Sequence, residues 1–150
     1  KETYMEKKIS VKDLLMQAFL TGWAQACLEE SIRYSKERKQ FGKPICKNQA
    51  ISFMIADMAT EIEAARELIY NTALEKDAGT KNAPMKCSMC KYYASEMANR
   101  VAAKAVQIHG GYGYIKEYKV EKLYRDARIL TLYEGTSQVQ QMVISGNLLR

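Results

Sequence analysis

Helix-breaking residues are gathered at a few points of this 150-residue chain, and this feature limits its fold more than any other. The two prolines are Pro44 and Pro84, and most of the eight glycines stand at positions 42, 79, 110–113 and 135. Glycine and proline both interrupt helices, by chain entropy and by loss of a hydrogen bond. The long intervals between these points are therefore predicted to be continuous helices.

Capping residues set the ends of three long helices. Polar side chains favour helix starts, proline favours the first turn, and glycine favours the position after the last turn. These signals predict a first helix that is capped by Ser10 and runs to about Gln40. The second helix follows Asn48 and ends at Gly79. The third begins near Asn82, has Pro84 in its first turn and ends at Gly110.

Apolar residues recur every three or four positions in the second and third intervals, which is the period of one helix face. The predicted stripes are Ile51, Met54, Ile55, Met58, Ile62, Ala65, Ile69 and Ala73, and then Cys90, Ala94, Met97, Val101, Ala105 and Ile108, with Ala98 and Ala102 beside the second. A shorter helix is predicted from Glu117 to about Ile129 and a last one from Thr136 or Ser137. No alternating strand pattern competes, so we predict an all-α helical bundle of three long and two shorter helices.

The net charge of +6 raises the question of a nucleic-acid partner. Residues 33–47 hold six cations against one carboxylate, so +5 of that charge lies in one local patch and does not coat the surface. We therefore expect no nucleic-acid partner. The mean hydropathy is −0.35, and no 18-residue apolar run occurs, so we also expect no membrane partner.

Cysteine and histidine usage argues against a metal centre. Of the four cysteines, only Cys87 and Cys90 form a CxxC pair, and no second pair or histidine pair follows, so ordinary helix packing is predicted for them. Free thiols indicate a reducing compartment, either bacterial cytoplasm or mitochondrial matrix. The one histidine, His109, cannot supply the Glu-x-x-His pairs of a di-iron bundle, and a helix-terminus role is favoured over a catalytic triad.

Two segments each leave two interpretations open. Gly110-Gly111-Tyr112-Gly113 is either a left-handed helix cap or backbone that a ligand phosphate approaches closely. Arg38-Lys39-Gln40-Phe41-Gly42 is either a solvated helix C-terminus or an anion site, with Arg38 for a phosphate and Phe41 for a ring face.

A third segment places a carboxylate, Glu134, between an apolar run and Gly135, directly before the last helix. A helix N-terminus stabilises a carboxylate by about 0.3–1 kcal/mol, whereas apolar burial raises the pKa of a carboxyl group by up to about 3–5 units. Glu134 is therefore either a plain helix-start glutamate or, in a pocket that a ligand dries, a general base.

Taken in order, these segments resemble the C-terminal helical domain of acyl-CoA dehydrogenases. The resemblance covers about residues 12–150. The matching pieces are Tyr34-Ser-Lys-Glu-Arg38-Lys-Gln-Phe41-Gly42-Lys-Pro44-Ile45, Gln49-Ala-Ile51, Ile55-Ala-Asp57-Met58, Gln107-Ile-His109-Gly110-Gly111-Tyr-Gly113-Tyr114, Glu117-Tyr118, Tyr124-Arg125-Asp126-Ala127 and Tyr133-Glu134-Gly135-Thr136-Ser137-Gln138-Val139-Gln140.

The resemblance implies an FAD enzyme that oxidises an acyl-CoA to its trans-2-enoyl form. It makes Glu134 the base that removes the α-proton while a hydride leaves the β-carbon for flavin N5, and the short-chain, butyryl-CoA-type members look closest. By the same comparison, three sets of residues bind FAD. Arg38, Gln40 and Phe41 bind the FAD of a neighbouring subunit, with Gln107, Gly110 and Gly111 at its diphosphate or adenine side, whereas Thr136 and Gln138 contact the flavin nucleotide of their own subunit. Tyr133 and Gly135 bind substrate.

The resemblance also implies an electron-transfer flavoprotein as electron acceptor and a homotetramer or homodimer. We expect residues 1–150 to be one domain cut from a longer three-domain enzyme, inactive by itself. A hypothesis from a different class is a non-catalytic helical oligomerisation module that uses the same apolar stripes.

Overall fold

The computed structural model describes residues 11–150, with side chains from residue 19 onward, so the predicted Ser10 cap lies outside the described residues. Three long helices and two shorter ones are present, as the periodicity predicts. They are α1 (Val11–Glu37), α2 (Gln49–Asp77), α3 (Ala83–His109), α4 (Lys119–Ala127) and α5 (Ser137–Leu148).

Helix α3 lies at the centre and contacts each of the other four helices. All six residues of its predicted stripe are buried, and so are Ala98 and Ala102 beside it. Small side chains along one helix let neighbouring backbones approach closely. Larger side chains from α1 and α2 fill the remaining space, among them Leu20, Met58 and Ile62. The α3 stripe therefore predicts the core correctly.

The predicted stripe of α2 is only partly buried. Met58, Ile62, Ala65 and Ile69 are buried, whereas Ile51, Met54, Ile55 and Ala73 are half-buried. At its C-terminal end Thr72 takes the core position, because its hydroxyl donates to the Leu68 carbonyl (2.7 Å) and accepts from the Cys90 thiol (3.1 Å). A buried threonine is tolerated there because both of its hydrogen bonds are made.

The first helix ends at Glu37, so the predicted end near Gln40 is wrong by three residues. Lys39–Gln40 (β1) and Lys43–Pro44 (β2) pair as a two-residue antiparallel hairpin, with Lys39 opposite Pro44. The Arg38 carbonyl accepts from the Ile45 amide at 2.8 Å, which closes the hairpin against the helix end. This pairing takes up backbone groups that a longer helix would use.

Helix α4 is likewise shorter than predicted, and residues Arg128–Thr131 form a 3-10 turn in place of its last turn. Two side chains of α3 explain the change. The Asn99 amide donates to the Ala127 carbonyl (2.8 Å), and the Lys91 ammonium donates to the Leu130 carbonyl (2.9 Å). These two contacts fix the segment after α4 against α3 at the point where the α-helix ends.

The predicted helix ends elsewhere are close to those observed. Gly79, at φ +67, lies just past the last turn of α2, with the Gly79 and Thr80 amides donating to Lys76 and Glu75 carbonyls. Asn48 and Asn82 stand at the N-cap positions of α2 and α3, but neither side chain forms a capping hydrogen bond. Thr136 caps α5, accepting from the Val139 amide at 3.3 Å.

Cys27, Cys87 and Cys90 are buried, as helix packing predicts, whereas Cys46 is half-buried. Burial raises the pKa of the Cys27 thiol to about 12 and also raises that of Cys90, so neither is a thiolate at neutral pH. Among the side chains that the structure describes, from residue 19 onward, no three His, Cys, Asp or Glu residues come close enough together to hold a metal ion. None of the described helices has the length and apolar character needed to cross a bilayer.

Candidate functional site

The hairpin after α1 presents Phe41 on a strained tip. Phe41 has φ +53 and Gly42 has φ +77, and the Phe41 side chain is 94% exposed. Tight two-residue hairpins require positive φ at their central residues, a conformation that glycine adopts freely and phenylalanine rarely. The basic patch predicted from charge counting thus includes a rigid hairpin that carries an aromatic ring into solvent.

A cleft of about 510 Å³ opens between this hairpin and the C-terminal end of α3. It contains five of the predicted cofactor-binding residues, namely Arg38, Gln40, Gln107, Gly110 and Gly111. The remaining lining residues are Tyr34, Ile45, Ile108, His109, Tyr112 and Ile115. Phe41, although predicted with this group, does not line the cleft of its own chain.

Aromatic rings form one wall of the cleft and orient its cation. The Tyr34 ring stacks on His109 at 4.1 Å, and the Arg38 guanidinium lies over the Tyr112 ring at 5.1 Å. In the described part of the chain Arg38 forms no ion pair, whereas Arg33 one turn earlier pairs with Glu30 and Glu37. Arg38 is therefore both aimed by a ring and available to an anion. Sequence reasoning did not single out Tyr34 or Tyr112, because an aromatic residue at helical spacing is usually a core residue.

His109 closes the end of α3 and is 3% exposed. Its Nδ1 lies 2.8 Å from the Ala105 carbonyl, which only accepts hydrogen bonds, so the proton is on Nδ1. Burial lowers the pKa of His109, and the imidazole is neutral at pH 7. His109 is the last residue of α3, as predicted, but in its neutral form it carries no charge for that helix end to stabilise.

The three glycines near the cleft have different roles. Gly110 caps α3 with φ +60, and a Cβ added at Gly113 would lie 2.6 Å from the Val106 carbonyl oxygen. A Cβ added at Gly111 would meet nothing within 4 Å. Gly110 therefore serves as the predicted cap and Gly113 allows close packing, whereas Gly111 leaves backbone open to the cleft, and the approach of a ligand phosphate there stays a prediction.

Glu134 stands on a second left-handed turn, immediately before α5. Its φ is +53 and that of Gly135 is +90, and the Glu134 side chain is exposed. Thr136 is the N-cap of the helix that follows, two residues after Glu134. Tyr133 beside it is half-buried, and burial raises the pKa of its phenol.

Two polar side chains of α3, one buried and one half-buried, support this turn. Lys91, 8% exposed, donates to the Leu130 carbonyl, and Glu96 accepts a 2.6 Å hydrogen bond from the Ser137 hydroxyl. Burial lowers the pKa of Lys91, while the nearby Glu96 and Glu134 carboxylates oppose that change. Sequence reasoning missed Lys91, although a lysine directly after Cys90 in an apolar stripe is a usable signal.

Apart from Phe41, which lies outside the cleft, the predicted site residues therefore fall into two groups. Glu96, beneath the Glu134 turn, and Gln107, in the cleft, are eleven residues apart on α3, roughly 16 Å along the helix axis. Tyr133, Glu134, Gly135, Thr136 and Gln138 form the group at the start of α5, and Arg38, Gln40, Gln107, Gly110 and Gly111 form the group in the cleft.

Comparison with known proteins identifies the family. A family model described as acyl-CoA dehydrogenase, C-terminal domain, matches residues 3–149. The caffeyl-CoA reductase–Etf complex subunit CarC of Acetobacterium woodii is 62% identical over 144 residues, which are 96% of this chain and 38% of that protein. The 3-(aryl)acrylate reductase of Clostridium sporogenes is 52% identical over 144 residues, with the same two coverages of 96% and 38%.

A solved structure gives the same result. Butyryl-CoA dehydrogenase from Megasphaera elsdenii superposes with a TM-score of 0.88 at 48% identity, covering 92% of this chain and 36% of that one. The chain thus spans less than two fifths of the length of these proteins. The match over residues 3–149 and the shared fold confirm the resemblance: the chain belongs to the acyl-CoA dehydrogenase family, as a C-terminal helical domain.

Proposed function

We propose that this chain is the C-terminal domain of an FAD-dependent enzyme that interconverts a short-chain acyl-CoA and its trans-2-enoyl-CoA, with Glu134 as the base. The observation that carries the proposal is the backbone at Glu134. An exposed glutamate held at φ +53, at the start of α5, has a conformation that its own propensity disfavours. Strained residues of this kind concentrate at functional sites.

The residues of the cleft fit the nucleotide part of FAD. The Arg38 guanidinium provides charge for a diphosphate, and the Gly111 backbone leaves room for close approach. Tyr34 and Ile45 provide apolar walls for a ring. Gln40, Gln107 and Gly110 complete the group that we propose to hold this part of the cofactor.

The exposure of Phe41 supports binding of FAD by two copies of the chain. We assign Thr136 and Gln138 to the flavin end of one FAD, and the cleft together with Phe41 to the FAD of a neighbouring subunit. Phe41 is directed into solvent, away from its own cleft, as a contact to a neighbour requires. A homotetramer or homodimer is therefore part of the proposal.

FAD, when bound, supplies the hydride acceptor for the β-carbon. The chain's own contribution is to hold Glu134 so that one carboxylate oxygen meets the α-hydrogen of the thioester. The turn at Glu134 lies immediately before α5, whose cap Thr136 fixes where that helix begins. Tyr133 and Gly135 flank Glu134 and are proposed to contact the substrate.

The test uses the full-length protein, with butyryl-CoA as substrate and a dye as electron acceptor. Because a general base contributes about 10²–10⁴-fold, we expect Glu134→Gln to lose at least about 100-fold in kcat with its FAD content unchanged. Glu67→Gln, an exposed glutamate on α2, is the control and should keep the wild-type rate. A near-wild-type rate for Glu134→Gln would show that Glu134 is not the base.

A second candidate function is the reverse reaction, in which the enzyme reduces an enoyl-CoA. Two relatives at 62% and 52% identity are named as a caffeyl-CoA reductase complex subunit and a 3-(aryl)acrylate reductase. In that direction Glu134 would deliver a proton to the α-carbon, with the electrons supplied through an electron-transfer flavoprotein, the partner that the CarC name includes. Comparing butyryl-CoA oxidation with caffeyl-CoA reduction on the same full-length protein, each with that flavoprotein present, decides between the two directions.

A further inference from the structure

The left-handed backbone at Glu134 must be held by neighbouring groups. Glu134 at φ +53 and Gly135 at φ +90 are consecutive, so the chain makes a sharp turn with glutamate at its first left-handed position. A glutamate there relaxes toward negative φ unless surrounding contacts prevent it. Relaxation would turn the Cα–Cβ bond and redirect the carboxylate.

The side chain of Gln140 makes the contacts that hold this turn. From the first turns of α5 its Nε2 reaches back to donate to the Glu134 carbonyl at 3.2 Å and to the Gly135 carbonyl at 3.4 Å. A Cβ added at Gly135 would lie only 2.8 Å from the same Nε2. The amide therefore occupies the space that the glycine leaves free, against the backbone of both left-handed residues.

The ends of the loop are fixed independently. Lys91 holds the Leu130 carbonyl at one end, and Glu96 holds the Ser137 hydroxyl at the other. Both contacts come from α3 and lie three or four residues from Glu134. The Gln140 side chain, in contrast, bonds to the backbone of Glu134 itself.

We propose that Gln140 is a positioning residue for Glu134, because its amide fixes the left-handed turn and thereby the direction of the carboxylate. The proposal rests on the proposed function of Glu134 as the base. Gln140 acts on the backbone, without touching substrate or cofactor. Its loss should therefore slow proton transfer while leaving substrate binding nearly intact.

The experiment compares Gln140→Met with Gln141→Met in the full-length protein. Methionine keeps the length of glutamine but has no N–H to donate. Gln141 is a matched control, since it follows on the same helix and its amide also makes a side-chain hydrogen bond, to the Tyr92 hydroxyl at 3.0 Å. Gln140→Glu is a second variant, because an ionised carboxylate at this position repels both carbonyls.

We expect Gln140→Met and Gln140→Glu to lower kcat by about 10–100-fold with KM changed less than about threefold, because small misplacements of a reacting group cost about that much. The kinetic isotope effect with α-deuterated butyryl-CoA should rise in both, since proton abstraction becomes more rate-limiting. Gln141→Met should stay within about twofold of wild type. A change confined to folding would lower FAD content and thermal stability without raising the isotope effect.

The proposal is overturned if Gln140→Met matches Gln141→Met in kcat and isotope effect, or if KM rises while kcat is unchanged. Glu134→Gln, measured alongside, separates this failure from that of the proposed function. If Glu134→Gln loses activity and Gln140→Met does not, Glu134 remains the base and Gln140 has no positioning role. If Glu134→Gln keeps its rate, both proposals fail.

Discussion

Replacing Glu134 with glycine should stabilise the fold relative to alanine at the same position, which reverses the usual order of these two residues. A left-handed conformation costs a non-glycine residue about 1–2 kcal/mol, and Glu134 adopts it at φ +53. Glycine avoids that cost but loses about 0.5–1 kcal/mol more in chain entropy on folding. The difference leaves Glu134→Gly ahead of Glu134→Ala by roughly 0.5–1 kcal/mol in free energy of unfolding.

The comparison of glycine with alanine removes the glutamate side chain in both variants, so only the backbone effect differs. Urea unfolding of the 150-residue chain, followed by far-UV circular dichroism, gives the two free energies. Glu67 within α2 is the matched control, because it is exposed and helical. There the Glu67→Gly variant should be about 0.5–1 kcal/mol less stable than the Glu67→Ala variant. If alanine equals or exceeds glycine at position 134 as well, the turn is not left-handed in solution and the reasoning about Gln140 loses its basis.

Three further perturbations test the site by stability. Gly113→Ala should cost about 1–3 kcal/mol because its Cβ would meet the Val106 carbonyl at 2.6 Å, whereas Gly111→Ala should stay within about 0.5 kcal/mol in unfolding measurements. Thr136→Ala should cost about 1 kcal/mol through loss of the α5 cap, and Thr136→Ser should restore most of it, as thermal unfolding will show. Since burial lowers the pKa of His109 below its usual 6.5, the unfolded chain gains a proton that the folded chain does not as pH falls through that value. The free energy of unfolding should therefore decrease as the pH falls below 6.5, by up to about 1.4 kcal/mol per pH unit. In urea unfolding at several pH values, the His109→Gln variant should lack this part of the pH dependence.

The helices and the core residues could be predicted largely from local sequence signals. Apolar spacing predicted the buried face of α3 from Cys90 to Ile108, and Gly79 and Gly110 ended their helices as expected because only glycine adopts positive φ without strain. The threonine cap at residue 136 was also predictable, since its hydroxyl bonds to an amide only three residues away.

Features that depend on unusual turn residues or on tertiary contacts could not be predicted from local sequence signals. The hairpin at residues 39–44 has Phe-Gly at its tip, whereas the usual signal for such a turn is Asn-Gly or Asp-Gly, so the first helix was predicted too long. Helix α4 was overestimated because Asn99 and Lys91, distant in sequence, bond to the carbonyls that would extend it. The grouping of Arg38 with Gln107 and Gly111 in one cleft likewise depends on how α1 packs on α3.

The position of α5 at the edge of the bundle has a consequence for its motion. Helix α3 contacts the four other helices, whereas α5 packs mainly against α3 among the described elements. Segments with few partners open locally at a lower free energy than the centre of a domain. Backbone amides of α5 should therefore exchange with deuterium well before those of α3, and the turn that carries Glu134 belongs to a cooperative unit that can open while the core remains folded.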